Sequence, residues 1–366
     1  MKKPDKKWPL LVAAVIFAVA ILRLPVNNEM REGFIFAVRV GSVFLCAAFL
    51  MEINVWAGML LLLALFSHSL PMFVLSGFDF MHTKQSYLAL DAVLTGCAIY
   101  VVIVLKCRDI NPLLNMICII AMFQTLFLVV QNFGFDPYVL FGLIGEGANT
   151  GLMTNPNESA AFLALCSPAF FRGRLAWGLI FIVIGLALSC STGGVLGFGL
   201  AAMFYISMRG LFWVTLPLII MTGLFLAFID NPLTSSESIT DRFGWWSDAL
   251  KLQHKNNGWW FGIGLGNWKL IYPELARAGV LKAGCIRLHN SFVQGIVEMG
   301  ILFPVIVIGY MINTVKRYTS RALLPCSAMF SIFATGMTNS LFRMNAINSM
   351  VAVAWFAMLH IKLQEE

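Results

Sequence analysis

Long apolar runs separated by short polar or charged turns dominate the pattern of this sequence. A membrane-spanning helix needs about 20 predominantly apolar residues, and twelve runs reach or approach that length. They lie at about 9–22, 34–51, 54–75, 87–105, 112–131, 158–171, 175–189, 194–208, 211–229, 291–313, 323–340 and 345–361. The pattern therefore predicts an all-α polytopic membrane protein with about twelve transmembrane helices.

Composition supports this class. Of the 366 residues, 59% are hydrophobic and only 12% are charged, and the mean hydropathy is +0.82. A soluble chain of this size has no way to bury so much apolar surface. The basic start, MKKPDKKW, precedes an apolar run that continues past Ala18-Val19-Ala20. We therefore expect an uncleaved first helix rather than a signal peptide.

Charge predicts the orientation of the helices. With a cytoplasmic N-terminus and twelve helices, every short basic turn falls inside, as the positive-inside rule requires. These turns contain Lys106 and Arg108, Arg172 and Arg174, Arg209, Lys316, Arg317 and Arg321, with Lys362 near the C-terminus. Both termini are therefore expected to be cytoplasmic.

The same topology divides the chain into three parts. Residues 1–229 hold helices 1–9, residues 230–289 form one large external loop, and residues 290–366 hold helices 10–12. A shorter external loop covers about 132–157. We find no internal repeat, and a secondary transporter usually shows one.

Arginines are concentrated at the predicted outer face. Arg242 and Arg287 lie in the large loop, Arg343 lies between the last two apolar runs, and Arg39 lies inside the second apolar run. An intramembrane arginine is by default a candidate functional residue, although a structural pair of Arg39 with Asp91 is an alternative. Because guanidinium groups bind phosphate with two parallel hydrogen bonds, these residues suit an anionic, lipid-linked diphosphate.

Aromatic residues crowd the large loop. They fit either an interfacial aromatic belt or a surface that stacks on sugar rings, and the belt is the commoner explanation. They are Trp245, Trp246, Trp259, Trp260, Phe261 and Trp268.

Polar residues also enter the tenth helix in the stretch IRLHNSFVQGIVEMGILF. Asn290, Gln294 and Glu298 are spaced i, i+4 and i+8, which predicts one stripe along the helix. His289 precedes them where membrane meets water. With an unperturbed pKa near ~6.5, a histidine there is suited to take a proton from a hydroxyl group; the alternative is a structural histidine.

Two loop motifs have structural explanations. Gly262, Gly264 and Gly266 form a GxGxG pattern without a surrounding βαβ unit, so we expect a tight turn with close backbone approach rather than a nucleotide loop. The segment TNPNES predicts a turn and helix start with Asn157 as the capping candidate. Neither the eight cysteines nor the acidic residues have metal-site spacing, and we expect no metal and no cofactor.

Three segments together resemble a known family. They are TNPNESAAFLAL, DRFGWWSDALKLQHKNNGWWFGIGLGNW and RLHNSFVQGIVEMGILF. Their order and spacing, over about 150–310, resemble the superfamily of bacterial O-antigen ligases and O-antigen polymerases, which includes protein O-oligosaccharyltransferases. The resemblance also agrees with twelve helices and one large periplasmic loop.

The resemblance implies a glycosyltransferase of the bacterial inner membrane, acting in surface polysaccharide or lipopolysaccharide biosynthesis with its active site facing the periplasm. The donor would be an undecaprenyl-diphosphate-linked glycan, and the acceptor lipid A-core, a second lipid-linked glycan or a protein. His289 matches the family's base and Arg242 its diphosphate-binding arginine, while Glu298 matches a supporting acidic position. Membrane lipids are expected partners and nucleic acid is not.

One segment departs from the family. Where a Ser-Arg pair usually enters a mid-chain helix, this chain reads LSCSTGGVLG, with Thr192 and Gly193 in place of the arginine. Arg39, Arg287 and Arg343 are substitute candidates for the phosphate contact. A flippase or transporter of lipid-linked sugars and a non-catalytic scaffold for envelope assembly remain the alternatives.

Overall fold

The fold is known from a computed structural model. It describes residues 51, 54–56, 58–64, 83–107, 109–135, 150–153, 155–210, 236–255, 259–277, 288, 290–317, 322–338 and 346–364. Over these residues the chain is helical and forms no strand, which confirms the all-α prediction.

Eleven α-helices have both ends within the described residues. They are α1 Thr83–Lys106, α2 Asn111–Asn132, α3 Pro156–Cys166, α4 Leu179–Ser189, α5 Thr192–Met208, α6 Ser236–Lys255, α7 Trp268–Arg277, α8 Ser291–Met299, α9 Leu302–Lys316, α10 Leu323–Thr338 and α11 Ala346–Gln364. Two 3₁₀ helices, Ser167–Phe170 and Gly173–Gly178, connect α3 to α4. Residues 58–64 are helical as well.

Only α2 combines the length and the apolar composition to cross a membrane by itself within the part of the chain that the structure describes. Shorter apolar segments occur at Thr95–Leu105, Leu175–Ser189, Thr192–Met208, Leu302–Thr314 and Leu323–Met337. The number of spans and their orientation therefore remain predictions.

Contacts divide the chain into two compact units. The first comprises the described residues within Met1–Val102, Ser247–Arg287 and Val293–Arg317. The second comprises those within Ile103–Trp246, Leu288–Phe292 and Tyr318–Glu366.

The second unit is built around α3. Every residue from Glu158 to Cys166 is buried, and α3 contacts α2, α4, α5, α10 and α11. Small residues allow the close approach of α5, because a Cβ atom at Gly194 would lie 2.5 Å from Ala160 Cβ and 2.8 Å from Ala160 O. Trp355 of α11 is fully buried, and its Nε1 donates to Leu165 O over 2.8 Å. This bond satisfies a carbonyl near the end of α3.

Two predicted spans are shorter as α-helices than the apolar pattern indicates. The run 158–171 is α-helical only to Cys166, because Pro168 lacks the N–H group that a continuing helix needs. The run 291–313 is two helices, since Gly300 has a left-handed φ of 77° and ends α8. Apolar character alone did not reveal either break.

In the first unit, residues 259–267 form a turn against α8 and the start of α9. Ile263 N donates to Val297 O over 2.9 Å, Gly264 N to Glu298 O over 3.0 Å, and Ile301 N to Trp259 O over 2.7 Å. The large predicted loop thus contains α6, the glycine turn and α7.

Candidate functional site

Half of the predicted site residues can be placed. Arg242, Asn290, Gln294 and Glu298 are described. The remaining four, His289, Arg39, Arg287 and Arg343, lie outside the described residues, as does the side chain of Asp91.

One face of α6 carries Arg242. Trp246, Ala249 and Gln253 follow it at i+4, i+7 and i+11, so the four residues share one side of the helix. Ala249 and Gln253 are fully buried, and Gln253 Nε2 donates to Ile296 O over 2.7 Å in the first unit. This face of α6 is therefore attached to α8 through Gln253.

Trp246 ties α6 to the segment that precedes α8. Within the second unit its Nε1 donates to Leu288 O over 2.7 Å. Leu288 is the chain neighbour of His289 and is fully buried. The bond therefore holds the helix turn that carries Arg242 to the backbone beside the predicted base.

Arg242 itself is half-buried. Burial lowers the pKa of its guanidinium below the ordinary value, and no described carboxylate contributes to the shift. An arginine remains charged at neutral pH despite such a shift. Its charge is therefore partly desolvated, which is favourable for binding an anion.

Asn290 has a different position from the one its spacing predicted. It lies immediately before α8, and its Oδ1 accepts a hydrogen bond from Phe292 N over 2.9 Å. It therefore caps the helix N-terminus rather than forming the first member of a stripe along the helix. The spacing of these residues did not reveal the capping bond.

Gln294 and Glu298 do lie on one side of α8, as predicted. Gln294 Nε2 donates to Glu298 Oε1 over 3.1 Å, and Gly266 N donates to Glu298 Oε2 over 3.1 Å. Both side chains are buried, at 5% and 2% exposure. The carboxylate of Glu298 thus fastens the glycine turn to α8.

The glycine turn is the tight turn that the sequence predicted. Gly262, Gly264 and Gly266 all have positive φ, at 71°, 100° and 88°. A Cβ atom at Gly262 would lie 2.5 Å from Met299 N. Only glycine permits both this backbone conformation and this approach.

The start of α8 also packs on α10 within the second unit. The rings of Phe292 and Phe333 are 5.0 Å apart, and a Cβ atom at Gly336 would lie 3.2 Å from Phe292. Leu288 is thus held by α6 through Trp246, and Phe292 packs on α10.

The predicted cap of α3 was assigned to the wrong asparagine. Asn155, not Asn157, is the N-cap, because its backbone is extended and its Oδ1 accepts from Glu158 N over 2.9 Å. Pro156 at the first helical position excludes a later start.

Two buried side chains that hold a loop were missed in the sequence. Gln124 and Gln131 of α2 are buried and bind the backbone of the loop before α3. Gln124 Oε1 accepts from Leu152 N over 2.8 Å, and Gln131 Oε1 accepts from Gly151 N over 2.7 Å. The signal in the sequence that could have found them is a pair of amide side chains seven residues apart in a mostly apolar run.

The segment after Ser191 forms the start of α5. Gly193 and Gly194 are buried there, and a Cβ atom at Gly194 would lie 2.5 Å from Ala160 Cβ. Gly194 therefore belongs to the contact between α3 and α5.

Metal-site geometry is not seen in the described part of the chain, where no three His, Cys, Asp or Glu residues are grouped for a metal ion. The six described cysteines are free, and among them Cys190 is exposed.

Comparison of the sequence with models of known protein families gives no match, and comparison with curated proteins gives none either.

Proposed function

We propose that this protein is an inner-membrane glycosyltransferase that moves a glycan from an undecaprenyl-diphosphate donor to an acceptor hydroxyl on the periplasmic face. It would belong to the O-antigen ligase or polymerase type and would span the membrane with about twelve helices. The bond from Trp246 to Leu288 is the observation that carries the proposal. It links α6, which carries Arg242 as the cation for the diphosphate, to the segment that carries His289 as the base.

Arg242 would bind the diphosphate. Its half-burial raises the strength of a charge-assisted hydrogen bond, since less water competes for the guanidinium. Leaving-group stabilisation by such a preorganised charge is a major source of rate enhancement in enzymes. Arg39, Arg287 and Arg343 are further candidates for this contact.

His289 would act as the general base. It takes the proton of the acceptor hydroxyl while that oxygen attacks C1 of the sugar and the C1–O bond to the diphosphate breaks. The products are the new glycoside, undecaprenyl diphosphate and protonated histidine. Attack from the face opposite the diphosphate would invert the anomeric centre.

Asn290, Gln294 and Glu298 would have supporting roles. Asn290 fixes the first turn after His289, and Glu298 with Gln294 fixes the glycine turn to the same helix. Such support keeps reacting groups within the narrow geometry that catalysis requires.

Replacement of the two central residues tests the proposal. We expect His289→Ala and Arg242→Ala each to lower glycan transfer by about 100-fold or more, followed as surface-polysaccharide ladders on gels. Arg277→Ala is the matched control, because this arginine is in the same loop and exposed. Its ladder should be normal.

The pattern of the gel separates the acceptors. Single repeats on the lipid core after His289→Ala would indicate a polymerase, and accumulated unattached long chains would indicate a ligase. Unchanged ladders from both variants at normal expression would contradict a transferase and favour a scaffold. Donor trapped on the cytoplasmic side would favour a flippase.

A further inference from the structure

Two adjacent tryptophans are presented on the glycine turn of the first unit. Trp259 is 42% exposed and Trp260 is 64% exposed. Most of the Trp260 side chain is therefore accessible.

The backbone that carries them is rigidly held. Ile301 N donates to Trp259 O over 2.7 Å, and Gly264 N and Gly266 N bind the carbonyl and carboxylate of Glu298. On the other side, a Cβ atom at Gly300 would lie 2.5 Å from Phe261 N. The turn and the α8–α9 break thus pack closely, so the backbone that carries the tryptophans is fixed at several points.

The exposed side chains of the turn differ from those of α9 in the same unit. The residues exposed on α9 are aliphatic and helically spaced, namely Val305, Ile308 and Ile312. The turn instead exposes aromatic rings. An aromatic face suits a pyranose ring, because one face of such a ring presents apolar C–H groups.

We propose that Trp260, assisted by Trp259, is a glycan-binding surface that stacks against a pyranose ring. The inference rests on the proposed function, since it names the part of the substrate that this turn recognises. The C–H groups on one face of the sugar contact the electron-rich face of the indole. Sugar hydroxyls remain free for solvent and neighbouring polar side chains.

Binding of free saccharides to the full-length protein in detergent tests the inference. The probes are hexasaccharides of glucose, galactose and N-acetylglucosamine, measured separately. We expect at least one to bind, with Kd rising about two- to tenfold in Trp260→Ala, the range for an aromatic contact. Trp260→Phe should retain most of the affinity because it keeps an aromatic face.

Trp177→Ala is the matched control. Trp177 has a similar exposure, 61%, but lies in the 3₁₀ helix Gly173–Gly178 of the second unit. Its replacement should leave saccharide binding unchanged. Thermal unfolding of each variant verifies that the fold is retained.

Undecaprenyl diphosphate without sugar separates this inference from the proposed function. Its binding should depend on Arg242 and be unaffected by Trp260→Ala. The proposed function would be overturned if undecaprenyl diphosphate bound Arg242→Ala as tightly as wild type while saccharide binding still depended on Trp260. The inference would be overturned if saccharide binding were unaffected by Trp260→Ala.

Two other results would also overturn the glycan surface. One is failure of all three hexasaccharides to bind the wild type. The other is quenching of Trp260 fluorescence by lipids with brominated acyl chains, seen as a difference between wild type and Trp260→Phe. Such quenching would place Trp260 in an interfacial belt.

Discussion

At the scale of single residues, backbone geometry decides which of several similar side chains acts. Asn155 and Asn157 flank Pro156, and the sequence pattern led us to assign the cap of α3 to Asn157. Only Asn155 has an extended backbone, with φ −148° and ψ 161°, that brings its side chain to Glu158 N. At α8 the side chain of Asn290 plays the corresponding role, since its Oδ1 accepts from Phe292 N.

Replacing the two asparagines of the α3 start should have unequal effects. Asn155→Ala removes the acceptor for Glu158 N and should cost about 0.5–2 kcal/mol of stability. Asn157→Ala, the control, should change stability by much less. Thermal unfolding in detergent measures both, and a larger loss for Asn157→Ala would contradict the assigned cap.

At the scale of elements, glycines fix how helices and turns meet. Gly262 and Gly300 have positive φ where the glycine turn meets the α8–α9 break, and Gly194 permits the α3–α5 contact. These positions are recognisable in sequence as glycines, but their partners are distant in the chain. The sequence predicted the tight turn and not the break at Gly300.

Gly300→Ala should destabilise the protein. The left-handed φ of 77° costs a side chain about 1–2 kcal/mol, and the crowding against Trp260 and Phe261 adds about 1–3 kcal/mol. The melting temperature should therefore fall by several degrees.

Gly199→Ala is the matched control for that change. It lies within α5, and nothing is within 4 Å of the Cβ that would be added. Because alanine favours a helix by about 0.5–1 kcal/mol over glycine, the melting temperature should be unchanged or higher. Equal destabilisation by both substitutions would refute the strained α8–α9 break.

At the scale of the whole molecule, topology is the main prediction still to be tested. Cys107 follows α1 in a predicted cytoplasmic turn, and exposed Cys190 follows α4 at a predicted periplasmic end. In the predicted topology the two thiols therefore lie on opposite sides of the membrane.

Single-cysteine variants that retain only Cys190 or only Cys107 measure this orientation. In spheroplasts, a membrane-impermeant maleimide should label Cys190 and should label Cys107 only after permeabilisation. Burial raises the pKa of the Cys107 thiol, so its thiolate fraction is reduced and labelling should accelerate as pH rises. Labelling of Cys107 in intact spheroplasts would reverse or invalidate the topology.

The sequence by itself determined the all-helical class, the positions of most apolar helices in the described part of the chain, and the tight glycine turn. These follow from local properties, namely hydrophobic runs, charge and the conformational freedom of glycine. Tertiary structure decided what distant residues do together: Trp246 holding Leu288, Glu298 fastening Gly266, and Gln124 and Gln131 holding the loop before α3. The physical reason is that such bonds depend on which helix faces meet, and the local pattern of hydrophobic and polar residues does not encode those pairings.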